Sequence, residues 1–543
     1  MQATSTTLTS RHFYGCVWSG STNQALAGAT VSASGLTASG SSFYQQAVTG
    51  SDCGWTMELP YGSYTVTFSA PGYQSQTWQN WVWTADVGYS GGTVTLQPAA
   101  TSSTMTSRLF YGTVWNPVAN QPLAGATVTV SGTTASGSAF SQSIVTGSDG
   151  RWEIQLPWGT SYTFTVSAPG YQSQTIQLGS WSPDTSYSGG VVTLQPTAAW
   201  TFMVYVDGDN NLEQAMQTDL EQMEAVGSTT TVNVVVLFDR SSTNDAIVYY
   251  VEKGDLSAKV DWGPTDMGDP GTLKKFIAYS ASNYPAHHYA LILYDHGGGY
   301  QGVIWDDHSG NHLTMSGLKT GLSGMHFDVI GFHACLMSMV EVAFQIRSYS
   351  DYMVGSEEIS YTGIWRYDLV LADLTNDPQM SGRELAIAFV TAYSTNGSPD
   401  TTFSAIDLSR VDAVASSVGK FAQALKSGLS LYGGQIRNAR TSSDHYWDGY
   451  SYYIDLRDFA NRISQDQTIS ANIRDASVQL IYAINNAVIS NWHQVNHTGS
   501  YGLSIYFDTS ASSYSYHSQD YRGLDFVTQT GWNGFLEAYV GSG

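Results

Sequence analysis

An internal repeat in the N-terminal part of the chain constrains the fold more than any other feature of the sequence. The segment 26–31 reads LAGATV and recurs unchanged as 123–128. Each copy consists of short runs of alternating polar and apolar residues, separated by Gly, Pro and Asp turns, which is typical of an antiparallel β-sandwich. Two copies are too few for a solenoid. The repeat therefore predicts two antiparallel β-sandwich domains, at residues 10–100 and 107–197.

The three cysteines of the chain divide into a pair and a single thiol. The offset between the copies places Cys16 opposite Thr113 and Cys53 opposite Gly150. Both positions are cysteine in the first copy, and neither is cysteine in the second. This joint occurrence predicts one disulfide, between Cys16 and Cys53. Cys335 then has no partner, and such a thiol is either buried and inert or reactive.

Short apolar runs alternate with stretches of helical periodicity in the rest of the chain, residues 199–543. This alternation predicts an α/β domain with a largely parallel sheet covered by helices. Ligands of such sheets bind beyond the carboxyl ends of the strands. The predicted strands are 202–206, 232–238, 290–294, 327–332 and 352–354.

The charge balance excludes several classes of partner. The net charge is −23, yet charged residues make up only 12% of the chain. Nucleic acids and anionic membranes bind clustered Lys and Arg, so neither is expected as a partner. No apolar run reaches the roughly 20 residues that a transmembrane helix needs. Residues 1–10 lack the apolar core of a signal peptide, and we expect a secreted chain whose leader has been removed.

Cys335 lies between a predicted strand and a predicted helix. The apolar run 327–332 precedes it, and apolar residues from Leu336 onward recur at helical spacing. A thiol at a helix N-terminus has a lowered pKa because the helix dipole stabilises the thiolate. The pattern therefore predicts a reactive nucleophile, against the alternative of a buried core cysteine.

His296 is the candidate proton partner for this thiol. It ends an apolar strand and precedes three glycines, 297–299, which allow a backbone N–H to approach a substrate closely. The neighbouring Asp295 is not expected to complete a triad, because adjacent residues of a strand point to opposite faces. We therefore predict a catalytic dyad of His296 and Cys335.

Several motifs, in the same order along the chain, resemble those of the clostripain family of cysteine peptidases. The resemblance covers most of the chain from about residue 200 to 507. The motifs are Asp207-Gly208-Asp209-Asn210-Asn211-Leu212-Glu213, Asp295-His296-Gly297-Gly298-Gly299, Ala334-Cys335-Leu336-Met337, Gly355-Ser356-Glu357-Glu358, Asp455-Leu456-Arg457-Asp458-Phe459-Ala460 and Gly502-Leu503-Ser504-Ile505-Tyr506-Phe507.

The resemblance implies a caspase-like three-layer α/β domain in which His296 is the general base and Cys335 the nucleophile. It also implies an oxyanion hole made by the backbone N–H groups of Gly297 and Cys335. The two N-terminal copies resemble carboxypeptidase regulatory-like domains. Tyr73, Trp78, Trp81 and Trp83 of the first copy are candidates for an aromatic platform that binds a surface or a substrate, although packing within the sandwich is the commoner role for such residues.

Two departures from the family pattern concern specificity and processing. The family carries an aspartate two residues before the cysteine, where it binds a basic P1 side chain, whereas this chain has His333. An imidazole offers no countercharge, so we expect uncharged P1 residues to be accepted. Substrate contacts are also expected from Ser356, Glu357 and Glu358. Lys319 is the single basic residue between Gly297 and Cys335, and no autoprocessing is expected there.

Asp207, Asp209, Asn211 and Glu213 form an oxygen-rich segment after the first predicted strand. Carboxylate and amide oxygens are the ligands of Ca²⁺, so this segment is a candidate calcium site. The alternative is a turn in which these side chains cap the following helix. No cofactor is expected to be required.

These observations predict a secreted cysteine endopeptidase that acts on proteins or peptides. Two alternatives remain open at this stage. One is a cell-surface adhesion protein whose peptidase-like domain only binds peptides, and the other is a transpeptidase that uses the same dyad but excludes water.

Overall fold

The structure is a computed structural model of the 543-residue chain. It describes residues 10–83, 90–99, 107–117, 119–178, 188–395, 400–447 and 452–542.

Each N-terminal copy forms two four-stranded sheets packed face to face. In the first copy, β1, β2, β5 and β8 form one sheet and β3, β4, β6 and β7 form the other. The strands are β1 (Ser10–Ser19), β2 (Gln24–Ala25), β3 (Thr30–Thr37), β4 (Ser42–Val48), β5 (Gly54–Pro60), β6 (Gly62–Ser69), β7 (Gln76–Trp83) and β8 (Ser90–Leu96).

The second copy repeats this arrangement, with β9, β10, β13 and β16 in one sheet and β11, β12, β14 and β15 in the other. In both copies the last strand pairs with the first in parallel, and the other pairings are antiparallel. The strands are β9 (Ser107–Asn116), β10 (Gln121–Pro122), β11 (Thr127–Thr134), β12 (Ala139–Val145), β13 (Arg151–Pro157), β14 (Gly159–Ser167), β15 (Gln174–Leu178) and β16 (Ser188–Thr193).

Alternation along the strands produces the sandwich cores. In β13 the side chains of Trp152, Ile154 and Leu156 are buried and those between them are exposed, as expected for strands that cover a core with one face. In the first copy, Trp78 packs edge-on against Phe68 at 4.7 Å. The aromatic candidates Tyr73 and Trp78 thus pack against their own core, while the side chains of Trp81 and Trp83 lie outside the described part.

The predicted disulfide joins Cys16 to Cys53, and Cys335 is a free cysteine. Cys53 adopts a left-handed backbone conformation with a φ of 70°. Gly150, its counterpart in the second copy, has the same φ of 70°. The turn therefore requires positive φ in both copies, which glycine adopts without strain and cysteine does not.

A nine-stranded mixed sheet organises the C-terminal domain, in the order β20-β19-β18-β17-β21-β24-β25-β26-β29. The five central strands are parallel to one another, and the outer pairings are antiparallel. These five are β18, β17, β21, β24 and β25. The strands of the domain are β17 (Ala198–Gly208), β18 (Val232–Arg240), β19 (Asp245–Glu252), β20 (Asp255–Asp261), β21 (Ala286–Tyr294), β22 (Val303–Asp306), β23 (Asn311–Leu313), β24 (Phe327–His333), β25 (Ser350–Gly355), β26 (Thr402–Asp407), β27 (His445–Tyr446), β28 (Tyr453–Asp455), β29 (Val488–His493) and β30 (Ser504–Tyr506).

Helices cover both faces of this sheet and bury two separate apolar clusters. The predicted three-layer α/β architecture with a largely parallel sheet is thus confirmed. The helices are α1 (Glu213–Val226), α2 (Pro270–Asn283), α3 (Met315–Leu322), α4 (Val340–Ile346), α5 (Tyr367–Asn376), α6 (Gly382–Tyr393), α7 (Val411–Ser442), α8 (Leu456–Gln465), α9 (Ala471–Ala487), α10 (Ala511–Tyr521), α11 (Asp525–Thr530) and α12 (Trp532–Val540). Within the described residues, none of them combines the length and apolarity that a membrane span requires.

Candidate active site

The carboxyl ends of two adjacent parallel strands bring the predicted dyad to one edge of the sheet. Strand β21 ends at Tyr294 and β24 ends at His333, and these two residues are paired in register. His296 follows the first strand end by two residues, and Cys335 follows the second by two residues. Parallel strands end at the same edge of a sheet, so both side chains lie where ligands of such sheets bind.

Gly297 packs directly against the backbone of Cys335. A Cβ atom on Gly297 would lie 2.3 Å from the Cys335 carbonyl oxygen and 3.0 Å from the Cys335 nitrogen. Real Cβ atoms do not approach backbone so closely, and only glycine fits there. The N–H groups of Gly297 and Cys335 have no acceptor among the residues that the structure describes. Two unused donors side by side are what an oxyanion hole requires.

The thiol of Cys335 is half-buried and borders the segment 358–361. Its Sγ atom accepts a hydrogen bond from the backbone N–H of Ser360 at 3.4 Å. Burial raises the pKa of Cys335 above its usual value. The expected helix N-terminus at Cys335 is wrong, because α4 begins only at Val340 and Leu336 has a φ of 67°. No helix dipole therefore lowers the pKa of this thiol.

Asn211, and not Asp295, contacts the imidazole of His296. The Nε2 atom of His296 lies 2.9 Å from the Asn211 Oδ1 atom, and burial lowers the pKa of the imidazole. Asp295 points away, as the strand alternation predicts, and accepts hydrogen bonds from the Asn210 amide at 2.6 Å and from the Trp305 backbone N–H. Local sequence patterns do not predict this contact, because 85 residues separate Asn211 from His296.

His333 lies in the core and does not line the cavity described below. It is 1% exposed and stacks between Tyr294 and Trp365, with ring centroids 3.7 and 4.6 Å away. Its ring nitrogens lie 3.0 Å from the Tyr367 hydroxyl and 3.1 Å from the Tyr361 carbonyl oxygen. Burial lowers the pKa of His333 to about 3. His333 is thus enclosed by aromatic side chains, and its effect on P1 specificity stays a prediction.

The three other predicted substrate contacts differ in their exposure. Ser356 is fully buried, with its hydroxyl 3.1 Å from that of Thr402. Glu357 is also buried and accepts hydrogen bonds from the Ser500 hydroxyl and the Gly502 N–H. Burial raises the pKa of Glu357 to about 7. Glu358 lines a cavity.

This cavity has a volume of about 480 Å³ and contains three carboxylates. Segment 358–361, which borders Cys335, also forms one wall of this cavity. The segment is joined to the chain next to Cys335 by a hydrogen bond of 3.2 Å from the Leu336 N–H to the Glu358 carbonyl oxygen. His497 Nε2 lies 3.8 Å from the Glu358 carboxylate. The lining residues are Glu358, Ile359, Tyr361, Asp400, Asp444, His445, Trp447, Asn496 and His497.

The four predicted calcium ligands do not converge. Asp209 pairs with His308, and Asn211 contacts His296. Glu213 accepts hydrogen bonds from Ser242. Asp207 is instead grouped with the carboxylates of Asp239 and Asp306. The expected ligand set is thus wrong in three of its members, because each is already bonded to another part of the chain.

Lys319, the candidate processing residue, lies in α3. Its ammonium group forms an ion pair with Asp525 at 2.8 Å. Whether the chain is cut at this residue stays a prediction.

The model of the clostripain family matches residues 204–539, which include every residue of this site. The chain belongs to the clostripain family. It is therefore a cysteine-type endopeptidase. The model of the carboxypeptidase regulatory-like domain matches residues 13–106 and 110–195, so both resemblances predicted from the sequence are confirmed.

Several individual proteins are similar to this chain. Clostripain from Hathewaya histolytica is 26% identical over 420 residues, which cover 61% of this chain and 79% of that protein. An inactive zymogen C11 protease from Parabacteroides distasonis has a similar fold, with a TM-score of 0.51 and 21% identity over 62% of this chain and 99% of its own. A secreted C11 cysteine protease from Bacteroides thetaiotaomicron, solved with an irreversible peptide inhibitor, has a TM-score of 0.49, 21% identity, and coverage of 62% and 100%.

Proposed function

We propose that this clostripain-family peptidase is secreted and cleaves peptide bonds with His296 and Cys335. The observation that carries the proposal is the contact between Gly297 and the Cys335 backbone, which places the histidine-bearing and cysteine-bearing strand ends side by side. The Cys16–Cys53 disulfide supports secretion, because disulfides persist in oxidising compartments.

The electrostatics of the dyad favour a neutral resting state. Burial raises the pKa of the thiol and lowers that of the imidazole, so neither charged form is stabilised before substrate binds. His296 then accepts the thiol proton as Cys335 attacks the peptide carbonyl. The N–H groups of Gly297 and Cys335 stabilise the oxyanion. His296 protonates the leaving amine and afterwards activates water for deacylation.

The acidic cavity beside Cys335 supports selection of a cationic P1 side chain. Glu358 takes the role that the family pattern gives to position 333, and Asp400 and Asp444 add negative charge. We expect Glu358→Gln to lower kcat/KM for a P1 Arg peptide by about 10-fold to 100-fold, because a charge-assisted contact contributes about 1.5–3 kcal/mol. A matched P1 Leu peptide serves as the control. Equal loss for both peptides would contradict this role.

The test of the dyad is turnover of a fluorogenic peptide library by the wild type, His296→Ala and Cys335→Ala. Both variants should lose turnover while retaining the wild-type circular dichroism spectrum. Replacing His326, which is exposed and pairs with Asp351, by Gln provides the control. Normal turnover by Cys335→Ala would refute the proposal. Added amine acceptors separate hydrolysis from transpeptidation, since a transferase would form ligated products.

A further inference from the structure

A second cavity adjoins the dyad, at the point where β17 and β18 end and α1 begins. It has a volume of about 500 Å³ and is called the β17–β18 cavity below. Asn211, whose Oδ1 atom lies 2.9 Å from His296 Nε2, forms the wall between this cavity and the dyad. The lining is mainly polar and includes Asn211, Glu213, Gln214, Gln217, Arg240 and Ser242.

The strand order places the β17–β18 cavity and the acidic cavity on opposite sides of the dyad. The parallel strands follow one another as β18-β17-β21-β24-β25, so their carboxyl ends form one edge of the sheet. His296 follows β21 and Cys335 follows β24, whereas Glu358 of the acidic cavity follows β25. Along this edge the order is therefore the β17–β18 cavity, His296, Cys335 and the acidic cavity.

The chemistry of cleavage gives this order a direction. In the proposed function the acidic cavity takes the P1 side chain, and His296 protonates the leaving amine. That amine belongs to P1′, the first residue after the cleaved bond. The second half of the substrate therefore continues from Cys335 past His296, and the next site along the edge is the β17–β18 cavity.

The spacing of strands indicates which residue of the substrate reaches this cavity. Neighbouring strands lie about 4.8 Å apart, so the ends of β17 and β18 are about 10 and 14 Å from the end of β24. An extended peptide advances about 3.3 Å per residue and alternates its side chains between two faces. P2′ therefore lies about 7 Å beyond P1, with its side chain on the same face as that of P1. A long side chain at P2′ covers the remaining distance.

Glu213 gives the β17–β18 cavity a negative charge that no basic side chain compensates. Its carboxylate accepts hydrogen bonds from the Ser242 backbone N–H at 2.9 Å and from the Ser242 hydroxyl. None of the ion pairs among the described residues involves Glu213. The guanidinium of Arg240 binds both carboxylate oxygens of Asp245, at 3.0 and 3.2 Å. The cavity therefore favours a cationic side chain.

We propose that the β17–β18 cavity is the S2′ subsite of the peptidase and selects Lys or Arg at P2′ through Glu213. This assignment rests on the proposed function, because the dyad and the acidic cavity define the direction of the substrate. The substrate class is then a peptide with cationic side chains on both sides of the cleaved bond. Glu213 is half-buried, and Ser242 holds its carboxylate in place without neutralising the charge.

Internally quenched peptides test this subsite in the full-length protein. All carry the P1 residue that the wild type cleaves fastest, and they differ only at P2′, which is Lys, Gln or Glu. A dye-amide substrate that ends at P1 monitors the dyad separately. We expect wild-type kcat/KM to be about 10-fold higher for P2′ Lys than for P2′ Glu, with Gln between them. This ratio should shrink at high salt, because salt screens charges near the surface.

Two variants change the charge of the cavity in opposite directions. Glu213→Gln keeps an oxygen that accepts the Ser242 N–H, and it should reduce the Lys-to-Glu ratio to about 2-fold or less. Gln217→Glu adds a carboxylate about one turn later on α1 and should raise the ratio. Glu221→Gln is the matched control and should keep the wild-type ratio, because Glu221 is an exposed glutamate of the same helix about two turns beyond Glu213.

The outcomes distinguish the subsite from the proposed function. Turnover of the dye amide without any P2′ preference in the wild type would refute the S2′ assignment and leave the dyad intact. No turnover of any substrate would refute the proposed function, and the subsite with it. Equal ratios in the wild type and Glu213→Gln would contradict the role of Glu213. If Glu213→Gln does not fold, an unchanged ratio in Gln217→Glu overturns the proposal.

Discussion

The buried imidazole of His333 makes the stability of the peptidase domain depend on pH. The folded protein holds this ring neutral, with a pKa of about 3, whereas the pKa in the unfolded chain is 6.5. Below pH 6.5 the unfolded chain binds a proton here that the folded chain rejects. The free energy of unfolding therefore falls as the pH drops from about 6.5 towards 3.

The size of this effect follows from the pKa difference. Each unit contributes about 1.4 kcal/mol. Between pH 7 and pH 5 the linkage relation gives a loss of about 2 kcal/mol from this residue alone. Other buried acids contribute to the total profile, so the measurement is the difference between the wild type and a variant that lacks this proton equilibrium.

His333→Gln is the appropriate variant, because its neutral amide can still donate to the Tyr361 carbonyl. The loss of stacking against Tyr294 and Trp365 should lower stability at every pH, and the pH slope is the informative quantity. Urea unfolding at 222 nm, between pH 5 and 8, isolates the peptidase domain, since all helices in the described chain lie within it.

The variant should lose about 2 kcal/mol less stability than the wild type between pH 7 and pH 5. Identical slopes for the wild type and His333→Gln would refute the assignment of a neutral buried imidazole.

Three further predictions concern the dyad. Gly297→Ala should lower kcat about 100-fold, because its Cβ would displace the Cys335 backbone; an unchanged kcat on a fluorogenic peptide would contradict the close contact. Asn211→Ala should lower kcat about 10-fold at constant KM, with most activity retained in Asn211→Asp, since Asp keeps the acceptor for His296; an effect on KM alone would exclude a positioning role. The rate of Cys335 alkylation by iodoacetamide should rise with pH to beyond pH 9, because burial raises the thiol pKa, and an inflection below pH 7 would indicate an ion pair instead.

The parallel strands made the main features of the site predictable from sequence. Apolar runs that end at His296 and shortly before Cys335 had to reach the same edge once the sheet was identified as parallel. The alternation of side chains along a strand also oriented Asp295 correctly. These inferences needed only local patterns and one topological rule.

Interactions between distant segments could not be predicted in this way. The apolar spacing from Leu336 indicated a helix, and the structure has this helix only from Val340 onward, because residues 336–339 form an irregular buried segment that begins with a positive φ. The environment of His333 depends on Tyr361 and Trp365, which come from a later loop. In the same way, Asp207 meets its partners only through the register of β18 and the position of β22.

The left-handed turn at Cys53 makes the two sandwiches respond differently to reductants. A non-glycine residue in that conformation costs about 1–2 kcal/mol, whereas a bond spanning 37 residues contributes about 4 kcal/mol by restricting the unfolded chain. Reduction removes the benefit and leaves the cost, but only in the first copy. The second copy, with Gly150 at the same turn, has neither. The same fold thus occurs twice in the chain. The stability of the first copy depends on the redox state of its disulfide, and the second copy, which has no disulfide, can be compared with it directly.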